Sequence, residues 1–150
     1  MIQINEKFGG DVEQAIDNYV GGVKAQVLAS AAASAALVIH DAARAAAPVS
    51  LQGHYFYGSS HKKTGQKYWF NAGTLRNSIY RVYSKRKSNA DQVVYDVSWN
   101  HKKCPYGFMV EFGTVRAPAH PFMRKALAAM PKAIEAAKAR MKARMSSVSK

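Results

Sequence analysis

The chain has 150 residues, enough for one domain with a real core and no disulfide support. Apolar residues make up 48% and charged residues 21%, ordinary globular usage that excludes disorder along the whole chain. The net charge of +13 is uneven: residues 1–41 hold five acids against two bases (net −3), while residues 42–150 hold twenty bases against four acids (net +16). Such asymmetry points to a polyanionic partner or to subunits that pair an acidic face with a basic one. The single cysteine, Cys104, excludes an internal disulfide framework. No apolar stretch is expected to reach a membrane span. The first residues lack the basic and apolar regions of a signal peptide, so synthesis in the cytoplasm is expected.

In chain order, Asp11 reads as a helix N-cap with Gln14 in capping-box position. Val12, Ile16, Tyr19/Val20, Val23, Val27, Ala31, Ser34, Val38 and Ala42 follow at steps of three or four, the stripe of one long helix. Pro48 stops it and pushes Ala47 toward extended geometry. Run from 11 to 46, that helix is roughly 54 Å long at 1.5 Å per residue. Gly21 and Gly22 are the expected place for a bend.

Residues 51–71 change character: glycines and serines punctuate Tyr55, Phe56, Tyr57, Tyr68, Trp69 and Phe70, with Lys62, Lys63 and Lys67 between. A connection this long is functional or mobile, and its aromatics argue against plain disorder; an extra hairpin is one arrangement for it. Strands are predicted over 78–84 and 92–99, joined by a basic tip at Lys85, Arg86 and Lys87. Residues 106–112 fit either a helical turn or a strand, with a short helix preferred. A C-terminal helix follows, its apolar face formed by Phe122, Ala126/Leu127, Met130, Ile134, Ala137, Met141 and Met145 and its remainder strongly basic. Pro131 should kink or split it, and residues 146–150 should fray. Together these elements predict a single α+β domain, with a long N-terminal helix and a C-terminal helix on a small, mostly antiparallel sheet.

Chemistry-bearing constellations are sparse. His101 and Cys104 have a ligand-like spacing, with His54 and His61 on the long loop, but zinc needs four ligands and Lys102 and Lys103 repel a cation. No nucleophile–base pattern or phosphate loop occurs, and Asp91, Asp96, Glu111 and Glu135 are too scattered for a metal-dependent nuclease. The expectation is a non-enzyme without cofactor or metal; a hydrolase using Cys104 or a histidine is the weakest alternative. Lys62, Lys63, Lys67, Lys85, Arg86, Lys87 and the C-terminal helix could neutralise phosphates without reading bases, and the aromatics beside Lys67 could stack on exposed bases.

Four segments occur in a telling order. A long Ala-rich helix ends at Ala47, Pro48 and Val49, and Gly73, Thr74, Leu75, Arg76, Asn77, Ser78 and Ile79 follow. After the strand pair come Tyr106 and then Val110, Glu111, Phe112, Gly113 and Thr114, and finally Pro118, Ala119, His120, Pro121 and Phe122. This series resembles the small tail-component, or neck-protein, family of long-tailed bacteriophages, over residues 25–140. The resemblance implies a non-enzymatic virion protein of the neck or upper tail, made in the host cytoplasm. Its partners would be copies of itself in a ring, other neck and tail proteins such as head-closure, terminator or tube subunits, and channel DNA through non-specific contact, with no membrane. The 51–71 insertion departs from the family pattern, which joins the Ala-Pro-Val segment directly to the Gly-x-Leu segment.

Within the matching segments, Gly73 and Gly113 suit tight turns, Pro118 and Pro121 stiffen the approach to the last helix, and Phe122 is a core anchor. Glu111 would pair with Arg76 or Arg116, within or between subunits. The alternative function is a non-sequence-specific DNA-binding protein acting outside a virion.

Overall fold

A computed structural model describes residues 7–89 and 91–148. The longest element is α1 (Lys7–Ala46), 40 residues that span about 60 Å. It begins before Asp11, which lies inside the helix and does not cap it. A cap residue is a preference worth about 1 kcal/mol and forbids nothing upstream. Pro48 is a hard stop, and the last helical bond runs from Ala47 N to Ala43 O at 2.9 Å. Helix α1 passes through Gly21 and Gly22 without interruption, although both face open space and each costs about 1 kcal/mol relative to alanine.

The hairpin β3 (Ile79–Tyr83) and β4 (Tyr95–Trp99) is antiparallel, with Ile79 opposite Trp99, Arg81 opposite Val97 and Tyr83 opposite Tyr95. It packs on α1. The 51–71 insertion does form a hairpin, β1 (His54–Phe56) with β2 (Tyr68–Phe70), capped by the short helix α2 (His61–Thr64). The expected single sheet is therefore two separate two-stranded sheets. Helix α3 (Thr74–Ser78) leads into β3, and the ambiguous stretch folds as the helix α4 (Gly107–Phe112).

The C-terminal segment splits as its proline dictates. Helix α5 (Phe122–Ala126) passes into a 3₁₀ turn (Leu127–Ala129) and then α6 (Met130–Val148). Pro131 has no N–H to offer the Leu127 carbonyl, so the chain tightens just there. Helix α6 continues to Val148, which overturns the expected fraying at 146–148; residues 149 and 150 lie outside the described part. It returns along α1, with Ala133 beside Ala36 and Arg140 Nε donating to Ser30 Oγ at 2.8 Å.

The core gathers where α1, α3, β3, β4 and α5 meet: Ala43, Ala47, Leu75, Ile79, Trp99, Cys104, Phe122 and Ala126, with Ile39 and Val110 packed against them. Phe122 is wholly buried and meets Trp99 edge-on at 5.5 Å. The buried face of α1 carries Ala31, Ala36 and Ala43, with Ile39 and Ala42 packed beside the core; Ala31 and Ala42 of the expected stripe lie on it, whereas Ser34 and Val38 are only half-buried. Alanine surrounds this helix on nearly all sides, so periodicity alone could not fix the face. Contrary to expectation, Ile16–Ala46 is long and apolar enough, by length and composition, to cross a membrane. Its alanines sustain the apolar character over 31 residues, as they also do in a core helix.

Candidate functional site

Glu111 sits on α4 with 2% of its surface exposed, and it does not pair with Arg76 or Arg116. Its Oε2 accepts from Met123 N at 2.9 Å, and its Oε1 accepts from Arg124 N and Arg124 Nε, both at 3.2 Å. Arg124 Nη2 returns a bond to the Glu111 carbonyl at 3.1 Å. A carboxylate in a core needs such company: it takes up the unpaired N–H groups at the start of α5 and faces a guanidinium. The result is a clamp between the two C-terminal motif segments. Arg76 and Arg116 remain on the surface.

The turn between those segments makes the clamp reachable. Gly113 has φ 77° and ψ 177°, and a Cβ there would stand 2.8 Å from Ala119 N, so backbone crowding and dihedral both demand glycine. Thr114 N donates to Ala117 O at 2.8 Å, Thr114 Oγ1 accepts from Ala117 N at 3.1 Å, and His120 N donates to Val110 O at 2.7 Å. Pro118 is exposed, and Pro121 occupies the N-cap position of α5. Val115, at the tip, is wholly exposed.

The motif segments far apart in sequence line one groove. Pro48, Val49 and Ser50 face Gly73, Thr74 and Leu75 across Tyr106 and Val110, around a space of about 290 Å³. Gly73, at φ 77°, caps α3; Leu75 is buried, and Ser78 Oγ donates to its carbonyl at 2.7 Å. A second groove, also about 290 Å³, lies on the other side of Tyr106 and includes Phe56, Met109, Thr114 and Pro118. The insertion covers this ridge. His54 and Phe70 both approach Tyr106 edge-on with ring centroids at 5.0 Å, and Phe56 lies at 6.0 Å. The hairpin is thus anchored on the motif end of the molecule within the single chain.

The residues weighed for catalysis or metal binding do not converge. Cys104 is buried, and burial pushes its thiol up, only partly offset by hydrogen bonds with Tyr106, Ser78 and the Gly107 backbone. Burial likewise raises the Tyr106 phenol far above its ordinary value, with the Cys104 hydrogen bond adding to it. His101 lies against Trp99 at 4.6 Å, while His61 meets Tyr57 edge-on at 4.7 Å and bonds Gln66 O at 3.0 Å. Among the described residues no three His, Cys, Asp or Glu side chains cluster as a metal would require.

The basic residues divide into two tips, one anchored near the C-terminal end of α1 and one at Lys24, near its middle. Lys62 and Lys63 project from α2, and Lys67 lies over the Tyr55 ring at 4.4 Å. Lys85 and Arg86 are exposed on the β3–β4 turn, while Lys87 Nζ bonds Asp96 Oδ1 at 2.7 Å and holds that carboxyl below its usual range. Asp91, on the same turn, pairs with Lys24 of α1, which lowers its pKa through the hydrogen bond and the charge. Lys24 and Ala47 are about 35 Å apart along the helix. The two tips do not form one continuous basic surface.

Sequence reading missed three contributors: Arg124, Trp99 and Gly107. Trp99 rests so closely on Gly107 that a Cβ there would fall 2.3 Å from the indole nitrogen. The signal for Arg124 was its place three residues after Pro121, in the first turn that a buried carboxylate could reach. No protein-family model, no curated protein and no solved structure matches the chain.

Proposed function

We propose that the protein is a structural subunit of a bacteriophage virion, acting in the neck or upper tail as part of a ring that completes the tail or joins it to the DNA-filled head. The observation that carries this reading is the surface. The chain exposes 11369 Å², whereas a compact monomer of 16.5 kDa exposes about 7,600 Å². The eighteen residues whose exposure is not described (1–13, 15, 90 and 148–150), even wholly exposed, account for about 2,900 Å², less than that gap. Small residues fill the α1–α6 contact, and large ones lie outside it: Ile16, Tyr19, Leu127, Met130, Ile134 and Met145 are all exposed. Such a chain completes its burial against neighbours.

The ordered motif segments that resemble the neck-protein family support the same role. So does the opposition of an acidic first stretch to a basic remainder, which favours head-to-tail contact between copies. Basic tips suit non-specific contact with DNA in a channel. Electron microscopy of particles made without this protein tests the reading: unjoined heads and tails are expected. Normal infectious particles lacking the protein, or turnover of a substrate by the purified chain, would overturn it.

A second reading, sequence-tolerant DNA binding outside a virion, draws on Lys62, Lys63 and Lys85, which have no acidic partner among the described residues. Filter binding across a salt series separates the two. Tight binding by the free protein with a steep salt slope favours this second reading.

A further inference from the structure

Among the apolar faces left exposed, which include Phe108, Met109 and Phe112 of α4, two others differ in charge. The first is the arm of α1 that runs past the end of α6. Residues 14 and 16–22 are all exposed there, with Ile16, Tyr19 and Val20 at 56%, 69% and 57%. Residues 11–23 contain three acids and no base. A lone helical arm of this length is marginal in water, so its apolar side chains call for a surface. The second face is the outer side of α6, where Met141, Met145, Lys138 and Lys142 border a shallow groove of about 490 Å³. Helix α6 carries five bases and one acid.

The arm cannot fold back onto its own α6, because α1 is one continuous helix. Pairing arm with arm would set acids against acids. We infer that the arm of one copy docks in the α6 groove of a second copy, with Tyr19 between Met141 and Met145 and Asp17 against Lys138 and Lys142. Thioethers pack well on an aromatic ring, and the lysines answer the carboxylate. Two different patches meet, so the contact is heterologous and repeats from copy to copy. The inference rests on the assembly reading above and names the surface that would carry it.

Sedimentation and light scattering of the full chain, over about a hundredfold range of concentration, test it. Wild type should form species larger than a dimer. An arm variant, Asp17→Lys with Tyr19→Ala, and a groove variant, Lys138→Glu with Lys142→Glu, should each weaken self-association at least tenfold, with unchanged circular dichroism. Mixed in equal amounts, the two keep one intact arm and one intact groove between them and carry opposite charges on their altered patches, so mixing should restore the association that each lacks alone. Asp17→Lys combined with Lys142→Glu in one chain should recover association; because all four positions are exposed, recovery also shows that the singly altered faces still folded.

Wild type that stays monomeric throughout, variants that assemble like wild type, or a mixture that remains monomeric would each overturn the inference. Loss in the arm variant alone, with the groove variant unaffected, would indicate arm–arm pairing and overturn it as well. The neck reading fails separately: arm–groove assembly together with infectious particles that lack the protein would sink that reading and leave this contact standing.

Discussion

The motif end of the molecule and the arm end are built on opposite rules. Around Glu111, Phe122 and Trp99, every buried side-chain polar atom but one is matched among the described residues, backbone turns are fixed by glycine and proline, and Phe122 and Trp99 point inward, while Phe108, Met109 and Phe112 of α4 stay exposed. The exception is the Trp99 indole N–H, buried over Gly107 without a partner. Along the arm and outer α6 the arrangement inverts, with alanines inside and isoleucine, tyrosine and methionine outside. One end holds the fold together; the other holds surface in reserve. Substitutions should therefore cost stability at the first end and association at the second.

The largest expected loss comes from Phe122→Ala, about 3–5 kcal/mol in chemical denaturation, because a wholly buried ring leaves a cavity beside Trp99. Tyr19→Ala should change the same measurement by less than about 0.5 kcal/mol, and a comparable loss there would break the contrast. Next comes Glu111→Ala, about 3 kcal/mol, since it strands Arg124 and the first N–H groups of α5; half of the Arg124 side chain faces water, which keeps the figure at the lower end for a buried pair. A thermal midpoint lowered by roughly 10 °C would accompany it.

Gly113→Ala should cost about 1–3 kcal/mol through its left-handed φ and the nearby Ala119 nitrogen, while Gly21→Ala in the arm should raise stability by up to about 1 kcal/mol. These two glycines sharpen the comparison most directly, because one substitution chemistry gives opposite signs at the two ends.

The pH dependence is smaller still. Cys104 and Tyr106 have raised pKa values in the fold, so the stability they contribute is complete below their unfolded values and is lost as pH rises above about 8.5 for the thiol and 10 for the phenol. Denaturation midpoints should be level through neutrality and fall above that point, and a thiol reagent should modify Cys104 far more slowly in the native protein than in urea. At the acid limit Asp91 and Asp96 act in the opposite sense: their lowered values give stability present above about 3.9 and lost as pH falls through the folded values. Both are exposed, so salt should erase the effect.

Much of the motif end was legible in the chain because its signals are absolute. Pro48 ends a helix whatever surrounds it, Pro131 removes one bond, and alternation in β4 fixed which residues face α1. The insertion could be read as a hairpin from its aromatic runs and glycines, but not that it would settle on Tyr106. The buried face of α1 was legible only in part, at Ala31 and Ala42, since alanine carries too little hydrophobic contrast to separate Ala36 and Ala43 from their neighbours. The Glu111 partner was misread for a different reason: Arg124 is brought to it by a turn whose compactness depends on tertiary crowding at Gly113. The segments on which the expectation of a phage neck protein rested chiefly form the scaffold here.

The elbow before Pro131 gives the molecule a lever. Helix α5 is bolted at its start by the Glu111 carboxylate, while α6 extends about 26 Å beyond the proline. A tilt of only about 10° at the 3₁₀ turn would sweep the far end of α6 through roughly 5 Å. Because α6 lies along α1, such a tilt would have to slide its alanine face over Ala32, Ala35 and Ala36 while the bolt on α5 stays closed.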